Sequence, residues 1–148
     1  MRSAPDPWMG TWITLVRTYN RLWTQVEAAM HHDADLTMAR YDVLAQLVNH
    51  GGRLGLSDLA SALLLSPSGL SRLLDRMEAS GLVRREPDPH DARASVAVIT
   101  TSGATVEARA RSKHHEFMQT AFGDRLNVRD LSDLRRVLAK LSAPPPAD

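Results

Sequence analysis

Serine and arginine side chains recur along one side of the segment SPSGLSRLLDRMEASGLVRR, which covers residues 66–85. Hydroxyl and guanidinium groups bond phosphate oxygens, and arginine also forms paired bonds to O6 and N7 of guanine in the DNA major groove. At helical spacing, the side chains that share this face are Ser68, Ser71, Arg72 and Arg76. An ordinary solvated helix face gives the same pattern, so the neighbouring segments must decide between the two readings.

The same segment carries the signals for both ends of a helix. Ser66 can cap the N-terminus, and Pro67 at the first helical position has no N–H group to leave unbonded. Gly81 suits the left-handed conformation that ends many helices. The apolar residues at spacings of three and four are Leu70, Leu73, Leu74 and Met77. We therefore predict a helix of about 15 residues with one buried and one polar face.

Helical and strand patterns surround this segment. Apolar spacing predicts a long helix over 12–30, a second from Thr37 through His50 that ends at two glycines, and a short third helix from Ser57 to the turn at Leu65. Residues 82–86 and 94–100 read as strands, and the run PDPHDAR between them reads as a turn, so a β-hairpin is predicted. Two helices joined by a tight turn and followed by a hairpin form a winged helix-turn-helix. Helices from Thr101 to about residue 123 and over 131–141 complete a mainly α fold with a small β-wing.

Composition excludes several classes of protein. The chain of 148 residues is long enough for one core, and its lack of cysteine excludes disulfides, thiolate metal sites and cysteine chemistry. The net charge is only +1, so binding to DNA would need placed arginines rather than bulk positive charge. Neither a phosphate-binding glycine loop nor a G-x-S-x-G turn occurs, so we expect no enzyme and no cofactor. The N-terminus MRSAPDPWMG lacks the apolar core of a secretory signal and no stretch could span a bilayer, so a cytoplasmic protein is expected.

Three stretches of the chain resemble the MarR family of bacterial transcriptional regulators. They are TMARYDVLAQL over 37–47, SRLLDRMEASGLVRR over 71–85 and DARASVAVIT over 91–100. The resemblance implies a homodimer that binds a pseudo-palindromic double-stranded DNA, usually a repressor and often released by a small aromatic or phenolic effector. It divides the chain into an N-terminal dimerisation helix (1–34), a winged helix-turn-helix (35–100), and C-terminal dimerisation helices with a disordered tail (101–148). The hydroperoxide-sensing branch of the family needs a reactive cysteine, which this chain lacks.

The resemblance and the chemistry of the side chains indicate the same DNA contacts on the recognition helix. The candidates are Ser66, Pro67, Ser68, Ser71, Arg72 and Arg76. The free N–H groups at the start of a helix also favour an approaching phosphate. Asp75 would be repelled by phosphate unless it is paired, and Arg72 or Arg76 can pair with it from the neighbouring helical turn.

The wing contributes a second group of candidate contacts. Arg93 is placed to enter the adjacent minor groove, where a narrow A·T-rich tract concentrates negative potential, and the resemblance implies that Asp91 orients it. A plain Asp/Arg turn pair is the alternative. Arg84 and Arg85 are weaker candidates, because either can simply face solvent from a strand.

An effector site is predicted only in outline. Trp12, Tyr19 and Tyr41 lie on helices that, by resemblance, border the ligand cleft of the family, and their rings suit a planar aromatic ligand. Ordinary core and dimer packing is the alternative for each of the three.

Two other functions remain open from the residues alone. A zinc-responsive regulator would require His31 or His32 to meet His114 or His115 across a dimer, although neither H-x-x-x-H nor H-E-x-x-H occurs and no metal site is predicted within one chain. A winged-helix module that binds protein and no DNA is the second alternative.

Overall fold

The computed structural model describes residues 6–34, 36–91 and 93–142. Helices and short strands follow one another in this part of the chain as α1 (Pro7–Ala34), α2 (Met38–Asn49), β1 (Arg53–Gly55), α3 (Leu56–Ala62), α4 (Pro67–Ala79), β2 (Val83–Pro87), β3 (Ser95–Ile99), α5 (Thr101–Met118) and α6 (Val128–Ser142). A π-helical turn, Gln119–Gly123, continues α5. The predicted mainly α class with a small β-wing is confirmed. None of the helices described here is both long and apolar enough to cross a membrane.

Both ends of α4 form as the sequence predicts. The Ser66 hydroxyl accepts a hydrogen bond from the Gly69 backbone N–H at 3.1 Å, so it satisfies one of the free donors of the first turn. At the other end, Gly81 adopts φ +71°, and the Leu82 N–H returns to the Met77 carbonyl at 2.9 Å. This pattern is the Schellman motif, in which the left-handed residue directly follows the helix cap.

The helix α3 ends earlier than predicted, at Ala62 rather than at the turn of residue 65. Two hydrogen bonds satisfy carbonyls near its end. The Leu64 N–H donates to Ser61 O at 3.2 Å, and the Leu65 N–H donates to Ala60 O at 2.9 Å. Leu64 has φ +54° there, so the chain turns at a leucine rather than at a glycine. Sequence patterns miss such an end because leucine favours helix continuation.

The hydrophobic core of the winged region forms around α4. Leu70, Leu73, Leu74 and Met77, the four residues of its predicted apolar stripe, are all buried. The core residues contributed by the other elements are Val26, Met30, Leu36, Met38, Tyr41, Val43, Leu44, Leu47, Leu59, Ala60, Leu82, Val83, Val96, Ala97 and Ala110. Burial of one face of α4 fixes the helix in rotation, so its opposite face must point outward.

The three strands form one antiparallel sheet in the order β1-β3-β2. The predicted hairpin forms from β2 and β3, and its register pairs Val83 with Ile99 and Pro87 with Ser95. Strand β1 was not predicted; it pairs Arg53 with Val98 through only three residues. Such a short run has no periodicity of its own, and only its pairing with β3 makes it a strand.

The chain forms two compact units, which divide between His114 and His115. In the first unit, the N-terminal half of α1 exposes large apolar side chains, including Trp8 and Trp12 at 62% and 57%. In the second unit, α6 has no buried residue and exposes Leu134, Val137, Leu138 and Leu141. These two units do not test the predicted division by role into 1–34, 35–100 and 101–148, which stays a prediction.

Candidate nucleic-acid interface

The outward face of α4 carries the predicted polar side chains. Ser66, Ser68, Arg72 and Arg76 are exposed, whereas Ser71 is half-buried. The Oγ atoms of Ser66 and Ser68 lie 3.3 Å apart, so the two hydroxyls form a pair at the start of the helix. A row of short hydroxyls followed by two long cations is suited to contacts with phosphates near the helix start and with bases further along.

Three candidate arginines, two on this face and one at the wing tip, have no acidic partner among the described residues. Within residues 6–34, 36–91 and 93–142, no salt bridge involves the side chain of Arg72, Arg76 or Arg93. Their donors are therefore available to an external acceptor. Five N–H donors in a planar fork match phosphate and the guanine edge better than a lysine ammonium does.

The expectation that Arg72 or Arg76 neutralises Asp75 is wrong, because Arg85 does so from β2. The Nη2 atom of Arg85 bonds the Asp75 carboxylate and also donates to the Ser71 carbonyl at 3.2 Å. Its Nε lies 3.3 Å from Glu78 Oε2, which makes an ion pair, but the N–H group does not point at the oxygen well enough for a hydrogen bond. The Arg85 backbone N–H donates to Glu78 Oε1 at 2.7 Å.

These contacts give Arg85 a structural role. Its side chain is only 26% exposed, and it joins the outer edge of α4 to the first strand of the wing. From the sequence Arg85 is predicted only as a weaker DNA contact, so this structural role is new from the structure. The sequence does place two acids, Asp75 and Glu78, three residues apart on one edge of α4. Their spacing predicts a basic partner only when β2 is known to run along that edge.

Arg84 is also paired, although it remains exposed. Its Nε lies 2.6 Å from Glu86 Oε1, and the second oxygen of the same carboxylate lies 3.7 Å from Arg53 Nη2 on β1. One glutamate thus links the two outer strands of the sheet. Exposed pairs of this kind contribute little to stability, about 0–1 kcal/mol, and they leave Arg84 a weaker candidate than Arg93.

The tip of the wing is shaped by two aspartates. Asp88 Oδ1 accepts from the His90 N–H at 2.8 Å, and Asp91 Oδ1 accepts from the Arg93 N–H at 2.9 Å. The Asp91 carboxylate therefore holds the backbone of Arg93, as in an Asx turn, and its orientation of the Arg93 side chain stays a prediction. Both Asp91 and Arg93 are exposed, so the guanidinium projects from the hairpin while its main chain is held.

The three aromatic residues proposed for an effector site have different surroundings. Tyr41 is buried, and its ring centroid lies 5.1 Å from that of His114. Tyr19 is 59% exposed and stacks on Trp23 at 6.0 Å, and Trp12 is 57% exposed. A binding role for these three residues stays a prediction.

A cavity of about 180 Å³ lies where α1, α2 and the turn between α3 and α4 meet. Its lining residues are Trp23, Ala39, Asp42, Leu63 and Leu65. Burial raises the pKa of the Asp42 carboxyl, an effect that Glu27 reinforces and His114 opposes. Burial likewise raises the pKa of the adjacent Tyr41 phenol. The cavity is mainly apolar and has one carboxyl group in its lining. The cavity was not predicted from the sequence.

No metal centre is evident in the part of the chain that the structure describes. No group of three or more histidine, aspartate and glutamate side chains is placed there to hold a metal ion. His114, one of the residues proposed for zinc, packs on the ring of Tyr41.

These elements define a winged helix-turn-helix protein: a short helix, a capped second helix with an outward serine and arginine face, and a hairpin with an exposed arginine near its tip. A model of the MarR family matches residues 34–94. AbsC from Streptomyces coelicolor, a MarR family transcriptional regulator of known structure, is 32% identical, with 96% of each chain covered and a TM-score of 0.88. This chain belongs to the MarR family of transcriptional regulators, as the sequence motifs indicate, and it is a regulator rather than an enzyme.

Two further relatives extend the similarity along the chain. Sco3205, a MarR family regulator from Streptomyces coelicolor whose crystal structure is in complex with DNA, is 27% identical, covering 100% of this chain and 95% of that one, with a TM-score of 0.84. An uncharacterised HTH-type transcriptional regulator of Bacillus cereus is 28% identical over 130 residues, which are 88% of this chain and 85% of that protein. The similarity therefore includes the helices on both sides of the winged region.

Proposed function

We propose that this protein is a homodimeric repressor that binds a pseudo-palindromic DNA operator in the cytoplasm and is released by a small aromatic effector. The exposed face of α4 carries the proposal, because Arg72 and Arg76 have no acidic partner there and the hydroxyls of Ser66 and Ser68 lie at the helix start. The relative Sco3205 has been crystallised with DNA. A regulator that occupies an operator overlapping a promoter blocks polymerase, which is the simplest route to repression.

Selection on random duplexes tests the DNA-binding part. The full chain would be used to enrich bound duplexes, and affinity would be measured by fluorescence anisotropy over a range of salt concentrations. We expect a site with two half-sites about 10 base pairs apart, or a multiple of that spacing. We also expect log K to fall steeply with log salt. Failure to enrich any duplex would contradict DNA binding and favour the protein-interaction module.

Two variants separate the helix from the wing. Arg72→Ala and Arg93→Ala are each expected to weaken operator binding by about 1–3 kcal/mol, and Arg72→Ala should also relax the preference at one base position. If Arg93 enters a narrow minor groove, replacing the A·T pairs there by G·C should weaken wild type and leave Arg93→Ala unaffected. The exposed Arg129 on α6 offers a matched control, and Arg129→Ala should bind like wild type. Unchanged affinity in both test variants would refute the assignment of the site.

The apolar surface of α1 supports the homodimer. Trp8, Trp12, Tyr19 and Trp23 are 62%, 57%, 59% and 42% exposed. Their positions fall within about 60° around the helix axis. Together they expose roughly 500 Å² of aromatic surface. With the neighbouring aliphatic side chains, this lies near the upper end of the largest apolar patches that monomers expose, about 300–600 Å², so we propose that a second copy of the chain buries it.

Sedimentation tests the dimer directly. Wild type is expected to sediment as a dimer at micromolar concentration, whereas Trp12→Glu or Leu138→Glu should shift it toward monomer, because a buried charge without a partner is costly. Val128 is 84% exposed and lies off the apolar stripe of α6, so Val128→Glu is the control that should remain dimeric. A wild-type monomer would refute this part of the proposal.

The cavity beside the recognition helix supports release by an effector. Its volume of about 180 Å³ is sufficient for one aromatic ring, since an apolar cavity of about 150 Å³ accepts benzene. Leu65 lines this cavity and directly precedes Ser66, the N-cap of α4. A ligand that displaces Leu65 would therefore shift the start of the recognition helix. Trp23 offers a ring for stacking, and the Asp42 carboxyl can bond a phenolic hydroxyl.

Phenol is a suitable first probe of this cavity. We expect phenol to raise the Tm of the protein and to lower its affinity for the selected operator, because the ligand is expected to favour a state that binds DNA less well. Leu63→Phe should fill the cavity, so this variant should bind the operator but not respond to phenol. A Leu63→Phe variant that responds like wild type would place the effector site elsewhere.

A further inference from the structure

The turn between α3 and α4 contains a leucine with two costly features. Leu64 is the one non-glycine residue with a positive φ in the part of the chain that the structure describes, at +54°. Its side chain is 93% exposed. A left-handed backbone is strained for a residue with a Cβ atom, and an exposed leucine gains nothing from burial. Strain that the fold does not require is a reason to look for a function.

The neighbouring helices show that the fold does not require leucine in this motif. α2 and α4 end with the same hydrogen-bond pattern as α3, and in them the left-handed position is occupied by Gly51 and Gly81, both at φ +71°. Glycine adopts this conformation without a steric penalty. The backbone of α3 could therefore end equally well on glycine, and the side chain of Leu64 adds strain without adding to the core.

The position of Leu64 indicates what its side chain meets. Leu63 and Leu65 on either side line the cavity against α1 and α2, and Leu64 points into solvent between them. It lies two residues before Ser66, the N-cap of α4, and two residues span at most about 7 Å. The start of the serine and arginine face is therefore within reach of this leucine.

We propose that Leu64 is a specificity-determining DNA contact that packs on the C5-methyl group of a thymine at the edge of each operator half-site. The methyl group of thymine is the apolar feature that the major groove offers to a side chain. The proposal rests on the proposed function, since it requires that α4 enters the groove. It adds a base preference that the hydroxyls and guanidinium groups of α4 do not supply.

Three substitutions separate the backbone from the side chain. Leu64→Gly and Leu64→Asn both suit a left-handed backbone, so each should raise the Tm by about 2–5 °C. Both remove the apolar contact, so each should weaken operator binding about five- to tenfold. Leu64→Met keeps an apolar side chain and the strain, so its Tm and its affinity should stay close to wild type. Val128→Ala, at another highly exposed apolar residue, is the control for general surface effects.

Modified operators identify the base. Each thymine of the selected operator would be replaced in turn by uracil, which removes only the methyl group. We expect one position per half-site at which uracil weakens wild type, and at which Leu64→Gly shows no further loss. This coupling is the signature of a direct contact between the two groups.

The results distinguish this proposal from the proposed function. If wild type binds its operator and Leu64→Gly binds equally well, the contact does not exist and the function of α4 is unaffected. If Leu64→Gly binds more weakly but no uracil position is coupled to it, the thymine assignment is overturned. If wild type binds no duplex at all, the proposed function fails and this contact fails with it.

Discussion

Removal of the Arg85 side chain should lower both stability and DNA affinity, although Arg85 need not touch DNA. In Arg85→Ala, the carboxylates of Asp75 and Glu78 lose their common cation, and the Ser71 carbonyl loses a donor. Hydrogen bonds to charged groups contribute about 1.5–3 kcal/mol, while exposed ion pairs add much less. Because Arg85 is 26% exposed and Asp75 is 58% exposed, we expect a loss of about 2 kcal/mol. For a chain of this size that corresponds to a Tm lower by about 4–8 °C.

The effect on affinity follows from the freed charge of Asp75. Without Arg85, this carboxylate stands on the outer side of α4 with no partner. Repulsion from a phosphate about 8 Å away is about 2 kcal/mol at the effective dielectric near a protein surface, and screening at physiological salt reduces it to about 1 kcal/mol, roughly a fivefold loss of affinity. The double variant Arg85→Ala, Asp75→Asn removes one positive and one negative charge together. It should regain most of the affinity while it remains less stable than wild type.

Thermal denaturation and fluorescence anisotropy over a range of salt concentrations check both parts. A direct phosphate contact by Arg85 would instead lower the salt slope by about 0.9, and Asp75→Asn would not restore binding. That combination of results would refute the positioning role. An unchanged Tm in Arg85→Ala would show that the three contacts do not hold the wing against α4.

Five further substitutions test the packing, the cap and a half-buried carboxyl. Gly103→Ala places a Cβ 2.0 Å from the Leu82 carbonyl oxygen and should cost about 3 kcal/mol or more in urea unfolding, whereas Gly10→Ala, with no atom within 4 Å, should stabilise the helix by about 0.5–1 kcal/mol. Ser66→Ala should lower stability by about 1 kcal/mol, and Ser66→Asp, which can still cap, should not. Burial raises the pKa of Asp42 above its ordinary value of 3.8, so ionisation of this carboxyl costs more in the folded state than in the unfolded state. The free energy of unfolding therefore falls as the pH rises from 3.8 to the raised pKa of the folded state. Asp42→Asn should therefore raise the Tm at pH 7, and the gain should vanish as the pH is lowered toward 3.8; a constant gain at every pH would contradict this.

Local signals in the sequence were sufficient for α4 and the wing. Ser66, Pro67 and Gly81 define the ends of α4 because caps and terminating glycines act on backbone groups within a few residues. The apolar spacing of three and four placed Leu70 and Met77 on the buried face, since the helical period alone determines which side chains share a face. The outward serine and arginine face follows from the same period.

Features that depend on contacts between distant segments were not available from the sequence. The partner of Asp75 proved to be Arg85 rather than a neighbour on α4, because the chain reverses at Gly81 and runs β2 along the helix edge. Strand β1 exists only through its pairing with β3. The cavity beside Asp42 needs α1, α2 and the turn before α4 to meet.

Periodicity and capping therefore determined which helices form and which face of α4 turns outward, because both act over one or two helical turns. Only the tertiary structure decided which charges on and around that face are already paired. Arg85 and Arg84 are held by carboxylates, while Arg72, Arg76 and Arg93 keep their donors available within the described residues. The physical reason is that an ion pair depends on distance in space, and a reversal of the chain brings together residues that no sequence period relates.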